Sequence, residues 1–414
     1  MSILYGNAVV GQSGGPTAAI NATLAGVILG AREACEKGII GKLYGMRNGI
    51  EGVLREELYD LFAEVPDKAA LDLLKKTPAA ALGSCRKKLP DPKKDADGVF
   101  EKLLFIFRKY DIRYFFYIGG NDSMDTVAKL SAYVKKQDYE MRIMGVPKTI
   151  DNDLCGTDHT PGFGSAAKYI AATVSEFIRD CAVYTIPAVT IVEIMGRDAG
   201  WLTTAAALPA RVNGEAPDLV YLPERVFDMD EFLSSVRRAL EKHPNVVVAV
   251  SEGIRFKDGT YVGASAQSGV KDVFGHQYLA GTAKALEGAV KANIGCKVRS
   301  VELNISQRCA AHLASRTDLD EAVRVGRSAV RAAVSGRSGK MMCFIRKDSE
   351  KYAVTCRPVD IKKIANMVKT VPDAFINAEG NHVTEACLDY LMPLIAGEVS
   401  PIYEKGLPVH FILK

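Results

Sequence analysis

Apolar runs and helical periodicities alternate along almost the whole of this chain. Asn7 to Val10, Ile112 to Ile118, Met141 to Val146, Ala188 to Ile194, Val246 to Val250, Val298 to Ile305 and Met341 to Ile345 each read as a strand, and Tyr352 to Cys356 as a further β-like stretch. Between them, apolar residues recur at helical spacing: Ile20, Leu24, Val27 and Ile28, then Met124, Val127, Leu130 and Val134. Tyr169, Ile170, Thr173, Val174, Phe177 and Ile178 mark a third helix. Leu319, Val323, Ala329, Val330 and Val334 mark a fourth, and a last one is expected from about Asp360 to Val368. Strands that are near-continuous apolar runs, alternating with helices, predict a largely parallel α/β architecture. Residues 55–100 are polar and broken by Pro66, Pro78, Pro90 and Pro92, which predicts an irregular connection. A chain of 414 residues is long for one core, so two lobes are expected, with a seam near residue 160.

The polar residues that interrupt this pattern fall where strands end. Asn7 to Val10 runs into Gly11-Gln12-Ser13-Gly14-Gly15-Pro16-Thr17, with Pro16 suited to a first helical turn. Ile112 to Ile118 runs into Gly119-Gly120-Asn121-Asp122-Ser123, and Met141 to Val146 into Pro147-Lys148-Thr149-Ile150-Asp151-Asn152-Asp153. Ligands of an open parallel sheet lie beyond the carboxyl ends of its strands, so these loops are expected around one crevice. Glycine-rich turns before helices offer unpaired N–H groups to phosphate oxygens.

Composition narrows the field. Apolar content of 48% and charged content of 25% are ordinary for a globular protein, and a net charge of +4 without a long basic run gives no reason to expect nucleic acid. Nine cysteines with no C-x-x-C pair argue against zinc or a disulfide framework and suit a reducing cytoplasm. Met1 to Gly15 lacks the layout of a signal peptide, and no apolar run approaches the roughly 18 residues of a membrane span. A soluble cytoplasmic protein is expected.

Phosphoryl transfer needs positioned cations and a base for the nucleophile's proton. Asp151, with Asp153 two residues on, is the candidate base; Thr149 would orient the acceptor and Lys148 offset phosphate charge. Arg86, in Gly83-Ser84-Cys85-Arg86-Lys87-Lys88, is a further candidate for charge neutralisation. At later strand ends, Arg197 follows Met195-Gly196, Glu252 could accept sugar hydroxyls, and Arg299 and Arg308 could hold a phosphate through paired N–H groups. Plainer readings compete: a tight turn at Gly14-Gly15, a solvated face at Arg86, an Asx turn at Asp151–Asp153, and ordinary salt bridges at the others. Their shared position at strand ends favours the chemistry.

Gly14-Gly15 with Asn21, Gly119-Gly120-Asn121-Asp122-Ser123, Pro147-Lys148-Thr149-Ile150-Asp151-Asn152-Asp153, Thr157-Asp158 with Gly162-Phe163, and Met195-Gly196-Arg197 stand in the order of the phosphofructokinase family, which the chain resembles from residue 7 to about 336. The resemblance implies two Rossmann-like three-layer lobes. Residues 1–160 with about 309–345 would hold the phosphoryl donor, and residues 161–308 with about 346–414 the sugar phosphate. It implies a reversible glycolytic transfer to the 1-hydroxyl of fructose 6-phosphate with Mg²⁺ between the lobes, in a homodimer or homotetramer. Asp151 would be the base, with Asp122, Lys148, Asp153 and Arg197 around the transferred group. Gly14, Gly15, Arg86, Gly120, Asn121 and Ser123 would hold pyrophosphate, and Asn121 and Asp153 the metal. Thr149, Met195, Gly196, Glu252, Arg299 and Arg308 would line the sugar pocket, with Arg299 reaching a neighbouring subunit.

Two positions bear on the donor. ATP-using members resemble Gly-Gly-Asp-Gly-Ser and Pro-Gly-Thr-Ile-Asp-Asn-Asp; pyrophosphate-using members carry Asp and Lys at the variable places, as Asp122 and Lys148 do here. A carboxylate about 4 Å from where the α-phosphate of ATP would lie repels it by about 4 kcal/mol at an effective dielectric of about 20. Three positions depart from the family. Asn121 stands where an aspartate is usual, Ile305 where a histidine is, and Ala188 where an arginine is, so a rebuilt 6-phosphate pocket is expected. The alternatives are an ATP-dependent 6-phosphofructokinase, a non-catalytic phosphometabolite-binding relative, and a kinase of another class sharing one lobe.

Overall fold

Strands that are apolar on both faces must be covered on both, and the computed structural model, which describes residues 3–266 and 281–413, meets that demand with two layered sheets. The first takes β1 (Gly6–Gln12), β2 (Ile40–Met46), β3 (Leu58–Asp60), β4 (Ile112–Gly119) and β5 (Arg142–Pro147). The second takes β6 (Ala188–Ile194), β7 (Leu219–Tyr221), β8 (Asn245–Ser251) and β9 (Lys297–Glu302), after which β10 (Lys340–Arg346) and β11 (Val354–Asp360) return to the first. The first sheet runs β11-β10-β5-β4-β1-β2-β3, parallel except at its two edge strands. The second, β7-β8-β6-β9, is parallel throughout.

Alternation along each strand divides the core. On β4, Tyr114, Phe116 and Ile118 enter one apolar cluster while Ile112, Phe115 and Tyr117 enter the other. On the second sheet, Val192 and Ile194 face one layer while Val189 and Ile191 face the opposite one. Two helices, Ile20–Glu36 and Arg316–Val334, cover one face of the first sheet and approach each other through Gly26 and Gly326. A Cβ on Gly26 would stand 2.1 Å from the Val323 carbonyl oxygen and one on Gly326 2.2 Å from that of Thr23, so only glycine permits this backbone approach. No helix among the described residues is long and apolar enough to cross a membrane.

Several elements differ from the sequence expectation. No helix spans Asp360 to Val368: β11 runs to Asp360, a single 3-10 turn covers Ile361–Lys363, and Asn366 is left-handed at φ 63°. Ile361 and Ile364 are buried, and the chain must then turn so that Val368 can bridge antiparallel to Leu154. Pro16 is not in a first helical turn, because that helix starts at Ile20. β9 stops at Glu302, leaving Arg308 on the short helix Ser306–Cys309. Residues 55–100 are partly ordered, with β3 and the helix Lys68–Lys76 capped by Asp67. Helices Val99–Lys109, Met229–Lys242 and Thr282–Asn293 were not anticipated. Nor does the segment 346–414 keep to one lobe. β11 edges the first sheet, Val371, Ile376, Cys387, Leu388 and Leu391 pack into the second lobe, and Phe411 and Leu413 return to the first.

Candidate active site

The chain order reverses across β1 and β4, which puts a topological switch point at their carboxyl ends. A cavity of 530 Å³ opens there. Gly14, Gly15, Arg86, Gly120, Asn121, Asp122, Ser123, Lys148, Thr149, Asp151 and Asp153 line it from the first sheet's loops. Met195, Arg197, Glu252 and Arg308 close it from the ends of β6, β8 and β9.

The Gly14–Gly15 turn is held by the irregular segment, which explains how residues 77–88 find their place. Buried Gln12 donates to Asn21 Oδ1 at 2.9 Å and accepts from the Leu82 N–H at 2.9 Å. Asn21 in turn donates to the Thr77 carbonyl and accepts from the Ala81 N–H, both at 2.9 Å. Beyond this anchor, the Ser84 hydroxyl donates to the Gly14 carbonyl at 2.6 Å and the Gly14 N–H to the Cys85 carbonyl at 3.2 Å. Arg86 and Lys88 are thereby delivered to the cavity wall. Lys88 Nζ lies 3.0 Å from Asp122 Oδ1, in the first turn of the helix Asn121–Val134.

Lys148 is buried, and its ammonium donates to the Gly15 carbonyl at 2.6 Å. Burial pulls its pKa down to about 8, against the charges of Asp151 and Asp153. Asp151 accepts from the Thr149 hydroxyl at 3.1 Å, and that hydroxyl also accepts from the Asp151 N–H at 3.1 Å. Burial raises the Asp151 carboxyl, while Thr149, Lys148, Arg197 and Arg308 oppose the rise. Asp153 is pushed up to about 7 by burial and by the Asp151 charge. Between them Asn152 is fully buried and left-handed at φ 53°, a turn that aims both carboxylates at the cavity.

From the second sheet, Gly196 adopts φ 148°, where a Cβ would stand 2.7 Å from the Ala199 carbonyl and from Ser251 Oγ. Its N–H donates to Glu252 Oε1 at 3.3 Å, behind the lining rather than on it. Burial pushes Glu252 up to about 8; the Gly196 bond lowers it, and the charges of Asp151 and Glu193 raise it. The lining carries five basic and five acidic side chains, but Asp153 and Glu252 are pushed up to about 7 and about 8, so its balance at neutral pH favours anions.

Arg299 is not part of this cavity. It pairs across β6 with Thr190, faces a small cleft with Tyr184, Ala188 and Asn245, and lies 3.7 Å from Asp180. Ile305 is exposed. Sequence reasoning passed over Lys88, Asp198, Asn366 and Val368, all of which line the cavity. For Lys88 the signal was present in the cluster that pointed to Arg86; Asn366 and Val368 sit in a tail with no motif.

The chain matches the family model described as Phosphofructokinase over residues 7–333. It is 44% identical over 404 residues to the pyrophosphate–fructose 6-phosphate 1-phosphotransferase of Halomonas elongata, covering 97% of this chain and 94% of that one. Its identity to the protein of the same name from Methylococcus capsulatus is 42% over 410 residues, covering 98% and 96%. Among solved structures it is similar to the pyrophosphate-dependent phosphofructokinase of Nitrosospira multiformis, with a TM-score of 0.88 at 38% identity, covering 99% of this chain and 97% of that one.

Proposed function

Since the chain belongs to the phosphofructokinase family, we infer that it moves a phosphoryl group from pyrophosphate to the 1-hydroxyl of fructose 6-phosphate, reversibly. The observation that carries the donor assignment is the wall built by Asp122 and buried Lys148. The lysine occupies space beside the Gly14–Gly15 turn, and the carboxylate sits at the cavity edge.

In this reading the Gly14–Gly15 turn, Gly120, Ser123 and Arg86 hold pyrophosphate, and Lys148 offsets its charge. Thr149, Met195, Glu252 and Arg308 hold the sugar. Gly196 acts one step back, through its hydrogen bond to Glu252. Asp151 accepts the proton of the 1-hydroxyl as the oxygen attacks phosphorus and the bridging P–O bond breaks, releasing phosphate. Lys148, Arg197 and Arg308 favour the ionised form that a base requires.

The residues present fit a divalent cation. Asn121 Oδ1 is buried without a hydrogen bond among the described residues, and the neighbouring Asp151 and Asp153 carboxyls are raised chiefly by burial, which a bound cation would offset. Asp153 and Asn121 would hold Mg²⁺, with phosphate oxygens and water completing its shell. When bound it neutralises charge on the transferring group. We infer a homo-oligomer as well: Val183, Tyr184 and Ile186 are exposed beside Arg299, on a face well suited to a second subunit.

The test is a donor comparison, pyrophosphate against ATP, with fructose 6-phosphate and Mg²⁺, following the bisphosphate formed. Turnover with pyrophosphate is expected. Turnover with ATP alone, or with neither donor, overturns the reading, and sedimentation separately checks the assembly.

A further inference from the structure

We propose that Lys369, in the C-terminal segment, is a positioning residue for phosphoryl transfer, its ammonium fixing the loop 152–158 and with it the aim of Asp151 and Asp153. The proposal rests on the functional reading above and assigns work to a part of the chain that carries no motif.

An ammonium has three N–H donors, and Lys369 directs all of them at one loop. Its Nζ donates to Asn152 Oδ1 at 3.1 Å, to the Thr157 carbonyl at 3.3 Å and to the Asp158 carbonyl at 2.7 Å. The Lys369 N–H also donates to the Asp153 carbonyl at 2.8 Å, beside the Leu154–Val368 bridge. Asn152 is the left-handed residue between the two carboxylates; asparagine reaches that conformation readily, and its surroundings decide whether it is held there. Here those surroundings are Lys369 on Oδ1 and the Tyr390 hydroxyl, which accepts from Nδ2 at 3.2 Å and donates to the Asp158 carbonyl at 2.8 Å.

The lysine is itself held. Its carbonyl accepts from Trp201 Nε1 at 2.9 Å, and its ammonium lies 5.1 Å from the Trp201 ring centroid. Two residues on, the Val371 N–H donates to Glu224, which also accepts from the Gly200 N–H. The clamp therefore ties the loop bearing Asp151 and Asp153 to the loop that follows Arg197. Loss of the ammonium would strip partners from Asn152 and from two carbonyls without touching any group that contacts the sugar.

The experiment measures kcat and KM of wild type, K369M, K369R and K369A with pyrophosphate, fructose 6-phosphate and Mg²⁺, with circular dichroism as the check on folding. For K369M, kcat is expected to fall by about a hundredfold, as for an ångström-scale misplacement, with KM for the sugar within about threefold. K369R should lose less, and ethylammonium should restore at least about tenfold of the K369A loss. A purely structural lysine would change stability without this split or this rescue. Should K369M fail to fold, K369R and amine-treated K369A decide. Folded variants with kcat within about threefold of wild type, or a loss confined to KM, or no rescue, overturn the proposal. Wild type inactive with pyrophosphate would overturn the functional reading along with it.

Discussion

Replacing Asp122 with glycine removes one negative charge from the donor wall, and the geometry sets the size of the effect. Its carboxylate stands 3.0 Å from Lys88 Nζ. A third phosphate arriving about 4 Å from the carboxylate, at a right angle to its contact with Lys88, would lie roughly 5 Å from the ammonium. At an effective dielectric of about 20, the repulsion is about 4 kcal/mol and the attraction about 3 kcal/mol. In the wild type the two nearly cancel, so charge excludes a nucleotide less strongly than a lone carboxylate would. The change on substitution is nevertheless the whole carboxylate contribution, because Lys88 stays behind. With 39% of the Asp122 side chain exposed, that contribution falls between about 1 kcal/mol, the aqueous limit, and about 4 kcal/mol. The ratio of kcat/KM for ATP to that for pyrophosphate should rise by between about fivefold and a thousandfold in D122G. Parallel assays with saturating sugar and Mg²⁺ measure it. A ratio unchanged within about twofold, in a variant that still uses pyrophosphate, would refute the charge argument. Lys148 is better left in place, since its removal strips the Gly15 carbonyl of its 2.6 Å donor and empties a buried site.

D151N should keep sugar affinity and lose at least about a hundredfold in kcat, read from steady-state kinetics, because the amide cannot accept the hydroxyl proton. Glu252 is pushed up to about 8 from an ordinary 4.5, so between those values the native ligand-free protein holds a proton that the unfolded chain has released. Stability must then fall as pH rises through that window, and Glu193 and Asp153, both raised to about 7, act in the same direction. Thermal melts from about pH 5 to 8 should show the decline, and E252Q should flatten it; an unchanged slope counts against the assignment. His159, buried between Asp158 at 2.9 Å and Glu321 at 2.7 Å, has its pKa raised because these bonds outweigh the opposing effect of burial. H159Q leaves buried Glu321 without its cation, although Asp158 keeps Arg346 at 3.0 Å, and should cost about 3–5 kcal/mol in urea unfolding.

The parts of the fold that were legible in advance are those where local pattern and burial agree. β4 and β5 are apolar on both faces because both are central, and their ends could be placed within a residue of Gly119 and Pro147. Helix Arg316–Val334 repeats its apolar stripe over five turns, so its inward face was readable from Leu319 to Val334. The cavity was foreseeable for the same reason. Strand ends in a parallel sheet share a rim, so loops far apart in sequence could be brought together from topology alone. Arg299 shows where that inference stops. It lies on the strand that leads to Arg308, but within β9 opposite Thr190 and away from the carboxyl rim. Strand membership says little about which end of a sheet a side chain serves.

What could not be read was pairing across the chain. Lys88 and Asp122 are 34 positions apart, and nothing in either segment specifies the other. The stretch 361–371 is the sharper case. Ile361, Ile364 and Val368 have helical spacing, and local propensity alone favours the helix that was expected. The chain instead buries Ile361 and Ile364 in one turn, reverses at left-handed Asn366, and spends its backbone on Leu154, Asp153 and Trp201. Three apolar residues at helical spacing could not outweigh those non-local bonds, because an isolated helix as short as Asp360 to Val368 is marginal in water. The loop that needs Lys369 is more than 200 positions away, and its own Thr-Ile-Asp-Asn-Asp motif is silent about what holds it. Chemistry was visible from sequence because reacting groups cluster in short motifs; its support was not, because a clamp is defined only by the partner it meets after folding.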